Sequence, residues 1–424
     1  MSTTVDGATL DQWFKDIYKD GYVSLMPDNT KLIKMIPFNR RSMPGEKVKA
    51  GVVTQRSNGF TYGGTQNRAF TLITPEAMET RAAQVSPNQI VLREFVSMAT
   101  ATRAKDSKQA FGEAMSLVIE NMMESFGNRL EISNLYGGIE LATFTAKTTP
   151  VTNSLQLTIP ASEWAVGLWC GMEGSLYNFY VGSTLLGGAT PLSADSIGTL
   201  TAVDTENYKV TFSFTATGYA AVNGATITAV AAYFAGSYDM EQVGLHKITA
   251  NTGTLFGINA TEYSLWQSVQ QSITGALTTG KLNRYIAKSV GKGLSEDIDC
   301  FVNPVTWTDL TQDVLAQRLF DSSYDQGKAV VGSKTLDFVS QSGKVSIIPH
   351  NMVKQGYAYA GPTKRLERIG STDVTMANAG NNGERIFLNL PDNNGFELRA
   401  FSDQSLFTTK PGLFGQISGI TNGV

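Results

Sequence analysis

The longest stretch of a single hydrophobic period lies between Asp106 and Gly138. There Phe111, Met115, Val118, Met122, Phe126 and Leu130 recur at spacings of three and four, which is one face of a helix. Asp106 is a candidate N-cap, Gln109 completes a capping-box pattern, and Gly137 with Gly138 supplies the stop. The pattern predicts one helix of roughly 45 Å at 1.5 Å per residue. Gly127 is where it would break into a hairpin of two shorter helices. The apolar stripe keeps its phase through Gly127, which favours one helix.

Before this helix the pattern changes twice. Residues 1–45 read as an extended arm, with an amphipathic piece at Leu10–Tyr18 and an apolar cluster at Leu32–Phe38. Such clusters on segments too short to fold alone predict docking on something else. Residues 46–100 read as a long β-hairpin. Lys47–Thr54 alternate, Asn58-Gly59 and Gly63-Gly64 signal turns, and Ile90–Ala99 is the expected return strand. So polar a hairpin is marginal alone and predicts a partner surface.

After the helix the charge thins out. Between Thr148 and Ser237 the charged residues are Glu163, Glu173, Asp195, Asp204, Glu206 and Lys209. Alternation in YKVTFSFTA and ATITAVAAYF predicts five to eight short strands, a small barrel or sandwich forming an all-β insertion at 148–237. Residues 238–370 turn to mixed α/β. A helix is expected at Ala276–Val290, a buried strand at Ile298–Val302, and a helix capped by Asn303 with Pro304 at its first position, running to about Leu319. Val345–Pro349 is a further strand. In 371–424, RIFLNL, FELRAF and GQISGI are strand candidates, the first two joined through Asp392-Asn393-Asn394-Gly395. The whole reads as α+β.

Bulk composition narrows the function. The 424 residues are 17% charged, below the usual quarter, and the net charge is −3. No basic excess drives sequence-reading of DNA by counterion release. Cys170 and Cys300 lie too far apart in sequence for a disulfide framework or a cysteine metal cluster. No run of about 18 apolar residues predicts a membrane span, and the polar N-terminus is no signal peptide, so a reducing cytoplasm is expected.

Candidate chemistry is thin. The two histidines, His246 and His350, stand apart and outside any metal-ligand spacing. Gly291-Lys292-Gly293 follows a helix rather than a strand, so it reads as a C-cap and not a phosphate loop. Asp297 and Asp299 flank Ile298 and read as the wet face of a strand. No catalytic, cofactor-binding or metal-ligating set is predicted, and that points to a structural role.

The order of arm, hairpin, long helix, β-insertion, α/β segment and terminal strands resembles the major capsid proteins of tailed bacteriophages, with the Hong Kong 97-type fold. LDQWFKDIYKDGY followed by TKLIKMIPF looks like that family's N-arm, and ENMMESFGNRLEISNLYG looks like its spine helix. LFGINATEYSLWQ, CFVNPVTWTDL, FDSSY and GKVSIIPHNMVKQGYAYAGPTKRLERIG look like its axial domain. FELRAFSDQSLFTTKPGLFGQISGI looks like its closing peripheral strands.

The resemblance implies an arm at 1–45, an E-loop at 46–100, a peripheral domain at 101–147 and 371–424, an insertion domain at 148–237 and an axial domain at 238–370. It implies a virion protein that assembles with itself as hexamers and pentamers into an icosahedral shell around double-stranded DNA in the host cytoplasm. Portal protein, a separate scaffolding protein and a decoration protein are the further partners implied. No fused scaffolding segment is expected, because the hairpin begins by about Glu46, and Lys–Asn cross-links are not predicted. The alternatives are an encapsulin-like shell with a protein cargo and a β-rich tail or adhesin protein.

Overall fold

The computed structural model describes residues 4–5, 30–40, 47–65, 69–97, 108–312, 336–376, 387–389 and 394–423. The Leu10–Tyr18 piece, the Asp106 cap, the helix end near Leu319, FDSSY and the Asp392-Asn393 half of the turn lie outside the described residues.

The first described helix is α1 (Lys31–Met35), followed by strands β1 (Phe38–Arg40), β2 (Val48–Gln55), β3 (Glu79–Val85) and β4 (Asn88–Ser97). Then comes α2, which runs unbroken for 29 residues from Lys108 to Tyr136. Gly127 is not a hinge. A Cβ there would meet Thr30 Cγ2 at 3.3 Å, so the glycine lets the chain entering α1 cross close to the helix. The stop is as expected: Gly137 N–H donates to Ser133 O at 2.8 Å and Gly138 takes φ +76°.

The hairpin expectation needs correction. β2 pairs antiparallel with β3, not with Ile90–Ala99. The return strand is ETRAAQV, which lacks the apolar alternation that identifies strands. Instead β4 pairs antiparallel along its length with a strand from the C-terminal region, Gln404–Gly395 opposite Asn88–Ser97.

From Ala142 the chain builds an eight-stranded sheet. Its main members are β5 (Ala142–Thr143), β6 (Ala146–Thr148), β7 (Ser154–Thr158), β8 (Leu176–Val181), β9 (Ile197–Asp204), β10 (Lys209–Ser213) and β11 (Val230–Phe234). The hydrogen-bonded path is β5-β11-β8-β9-β10-β7-β6. Its two ends are halves of one run of chain: β5 pairs with β11, and β6, beginning three residues after β5 ends, pairs with β7. The sheet therefore closes on itself as a barrel, which leaves little free edge. Phe144, the buried residue at the bend, joins Leu155, Tyr177, Phe179, Phe212 and Phe234 in the core. Phe179 and Phe212 meet edge to face at 5.1 Å. The segment is not all-β, however: helix α3 (Ala216–Gly224) lies within it, its first turn capped by Thr215, whose hydroxyl accepts from Gly218 N–H.

The remaining elements are β12 (Val269–Ser272), α4 (Thr279–Gly291), β13 (Ile298–Val302), α5 (from Pro304, described to Gln312), β14 (Leu336–Ser340), β15 (Gly343–Pro349), β16 (Tyr357–Gly361), β17 (Glu367–Thr375), β18 (Phe387–Asn389), β19 (Gly395–Phe407) and β20 (Gly415–Ser418). One six-stranded sheet runs β12-β20-β16-β13-β15-β14. A second contains β4-β19-β17-β1, with β18 also on β19. α2 lies on this second sheet. Val118, Met122, Phe126 and Leu130 pack on Val96, Leu398 and Ala400. The side chains of Phe111 and Met115 lie outside the described residues.

Burying a side chain of this size contributes about 1.5–3 kcal/mol, so the four-residue stripe is the main bond between helix and sheet. Met122 is 1% exposed in the middle of it. Met122→Asp places an unpaired carboxylate in an apolar contact and is expected to give insoluble protein. Glu124→Gln, at a half-buried position off the stripe, is expected to stay soluble and folded. Soluble yield and circular dichroism of the two variants check this; a normally folded Met122→Asp contradicts the packing.

Candidate functional site

Two clusters of titratable side chains lie inside the molecule. Glu131 of α2 is fully buried. Its Oε1 accepts from Leu32 N–H at 2.5 Å and its Oε2 from Ile33 N–H at 2.9 Å. These are orphan donors of the first turn of α1, and Thr30 makes no side-chain cap there. A carboxylate 99 residues away thus caps α1. His350, at the end of β15, places Nε2 2.8 Å from Glu131 Oε1. Met352 N–H donates to His350 Nδ1 at 3.2 Å, which leaves the ring proton on Nε2, donated to Glu131. Both ring nitrogens of His350 are thus engaged in hydrogen bonds inside the fold. Lys31 Nζ adds a bond to Pro349 O at 2.7 Å.

A second buried junction surrounds Tyr136. Its hydroxyl donates to Met352 O at 2.9 Å and accepts from Lys354 N–H at 2.9 Å. The Lys354 ammonium sits 5.1 Å from the Tyr136 ring centroid. His246 Nδ1 lies 2.8 Å from the Tyr359 hydroxyl. Burial, and then the Lys354 charge, push His246 down to about 3.

The other sequence candidates are structural as well. Lys292 is the C-cap of α4 and Gly293 takes φ +98°. Asp297 Oδ1 accepts from Lys344 N–H at 3.0 Å, and Asp299 accepts from the Thr363 hydroxyl. Cys170 is exposed and Cys300 buried, both free. No group of three His, Cys, Asp or Glu among the described residues could hold a metal. No described helix is long and apolar enough to cross a membrane. A cleft of about 640 Å³ lies between α2, β4 and the barrel. In it Arg129 stacks on Phe234 at 3.3 Å, and burial raises Glu241 to about 7 against the pull of Arg129.

What the surface offers is apolar. β2 and β3 form a two-stranded sheet by themselves. At its base Gln84 N–H donates to Phe256 O at 2.9 Å, and Ala83 and Val85 are buried. Beyond that base the tip presents Tyr62, Leu72 and Phe60 at 90, 73 and 70% exposure, with Ile73 and Met78 also exposed. A hairpin that displays this much apolar surface is built to be covered.

No family model and no curated protein matches the sequence. Among solved structures, a chain of the cyanophage A-1(L) capsid asymmetric unit is similar over 98% of this chain and 99% of that one, with 11% identity and a TM-score of 0.53. The capsid of cyanophage P-SCSP1u is similar over 97% and 94%, at 8% identity and a TM-score of 0.49. An encapsulin of Synechococcus elongatus is similar over 98% and 97%, at 8% identity and a TM-score of 0.44. The fold assignment rests on the first: the chain has an α+β fold of the Hong Kong 97 capsid type.

Glu131 carried no sequence signal of its role, because its partners are distant in the chain. Two outcomes test the buried junctions. Glu131→Gln turns one acceptor into a donor facing buried N–H groups, and the loss is about 3 kcal/mol. Thermal denaturation of the subunit is expected to show a midpoint lower by several degrees; an unchanged midpoint contradicts the junction. For His246 the folded value lies below the unfolded value of about 6.5. The unfolded chain therefore binds the extra proton, and stability falls as pH drops from about 6.5 toward 3, at up to about 1.4 kcal/mol per pH unit. His246→Gln is expected to lose less stability than the parent between pH 7 and pH 5; identical pH profiles contradict this.

Proposed function

We propose that this protein is a structural shell subunit, not an enzyme, and that it assembles as hexamers and pentamers into an icosahedral virion capsid enclosing double-stranded DNA. The observation that carries the reading is the hairpin tip: an apolar, exposed loop beyond the paired strands β2 and β3, on a chain with a capsid-type fold. Its surface needs a second copy. A specific interface buries about 1,200–2,000 Å² in total, and an arm and a hairpin reaching across neighbours extend each contact.

In this reading residues 1–45 are the N-terminal arm, whose end at 31–40 is seated on the subunit's own core, and the β2–β3 hairpin is the extended loop, with β4 in the peripheral sheet. The long helix and the 371–424 strands make the peripheral domain, 238–370 the axial domain, and the barrel an insertion domain on the outer surface. Scaffolding, portal and decoration proteins would be the further partners, and assembly would take place in the host cytoplasm.

Electron microscopy and limited proteolysis test the proposal together. The purified protein is expected to form closed icosahedral particles in which the 56–78 loop resists protease, while free subunits are cut there. Particles from infected cells are expected to hold DNA. Protein cargo in place of DNA would favour an encapsulin-like shell. Protein that stays monomeric at every concentration, with the loop equally cleavable throughout, would contradict assembly.

A further inference from the structure

The sheet under α2 has a second face. Leu92, Val96, Leu398 and Ala400 point to the helix, so Arg93 and Arg399, one residue out of phase, point away from it. The two arginines are directly opposite each other across β4 and β19. Like charges placed so are destabilising unless something holds them. Glu397 does so from beneath. It is 4% exposed, and Arg93 and Arg399 are 54 and 50% exposed. Glu397 Oε1 accepts from Arg93 Nε at 2.7 Å and from Arg399 Nε at 2.5 Å, and its Oε2 accepts from Arg399 Nη2 at 3.1 Å. Arg93 also lies 5.0 Å from the Phe95 ring centroid, which fixes its plane.

Two positive charges against one negative leave the trio at +1. Hydrogen bonds from Arg399 and then Arg93 hold the Glu397 carboxyl down to about 2, so the balance does not change near neutral pH. Arg365–Glu296 and Arg368–Asp373, by contrast, pair one arginine with one carboxylate. What results is two guanidinium groups, oriented on a rigid sheet by a shared buried anchor, half open to solvent and, among the described residues, one negative charge short. An oxyanion with two acceptor oxygens completes it.

We infer that Arg93 and Arg399 form a phosphodiester-binding pair that contacts the backbone of enclosed nucleic acid. This rests on the shell reading above. The subunit carries a net charge of −3, so a shell of many copies repels a polyanion on average and needs local cationic points where the two meet. A phosphate contact of this kind carries no sequence preference.

The test is binding of short duplex DNA to free subunits across a salt series, followed by fluorescence anisotropy. Arg93→Gln and Arg399→Gln each leave the other arginine on Glu397, so folding, checked by circular dichroism, is retained. The parent is expected to bind with a salt-dependent affinity. Each variant is expected to flatten the slope of log K against log salt by about 1, equally for unrelated DNA sequences. Arg399→Lys, which keeps the charge, is expected to keep the slope. No binding by the parent, or an unchanged slope in both glutamine variants, overturns the inference and leaves the shell reading to be judged by its particles. Lost assembly with unchanged DNA binding also overturns it, and reassigns the pair to a carboxylate of a neighbouring copy.

Discussion

A single buried carboxylate joins three stretches of chain that are far apart in sequence. Glu131 belongs to the long helix, caps α1 with two of its acceptor positions, and holds His350 at the end of β15 with a third. Taking a carboxylate out of water is costly unless its acceptor sites are filled, and here three donors converge on it. That requirement fixes the position of the helix relative to both its neighbours. If Glu131 is to stay satisfied, α1 cannot lift from α2, and β15 cannot slide along it. The apolar stripe supplies adhesion to the sheet, but adhesion alone tolerates sliding; directional hydrogen bonds do not.

With the helix fixed, the rest follows as a division between self-sufficient and dependent parts. The barrel closes its own edges through the bent run Ala142–Thr148 and fills its centre with aromatic rings. The six-stranded sheet around β13 buries Ile298, Cys300 and Val302. The β2–β3 hairpin does neither. It is held through Gln84 and, further out, through Glu79 and Arg81 on Tyr263, and its apolar tip is exposed. The proposed shell role would use both kinds of part: a body that holds its shape alone, and an exposed tip that a neighbour covers.

The sequence was readable wherever the signal is local. The phase of Val118, Met122, Phe126 and Leu130, the glycine stop, the strand Ile298–Val302 and the Asn303-Pro304 helix start all depend on residues within a few positions of each other. Pairing was less readable. β3 reads ETRAAQV and has no apolar alternation, so the better-patterned β4 looked like the return arm, though its partner lies some three hundred residues on. α3 was hidden because ATGYAAVNG is short and its small residues fit strand and helix alike. Glu131 looks like an ordinary acid between Leu130 and Ile132; its role exists only once α1 and His350 arrive. The Arg93–Arg399 pair is likewise a product of register, since neither residue stands out in its own strand.

Amide hydrogen exchange at Leu32 and Ile33 tests the central role of Glu131 most directly. α1 is only five residues long, and a helix that short frays in water. If Glu131 clamps it, these two amides exchange only through global unfolding, with the same protection as the amide of Phe126 in the middle of α2. Exchange at the rate of a frayed terminus, with Phe126 still protected, would show that the carboxylate does not hold the junction.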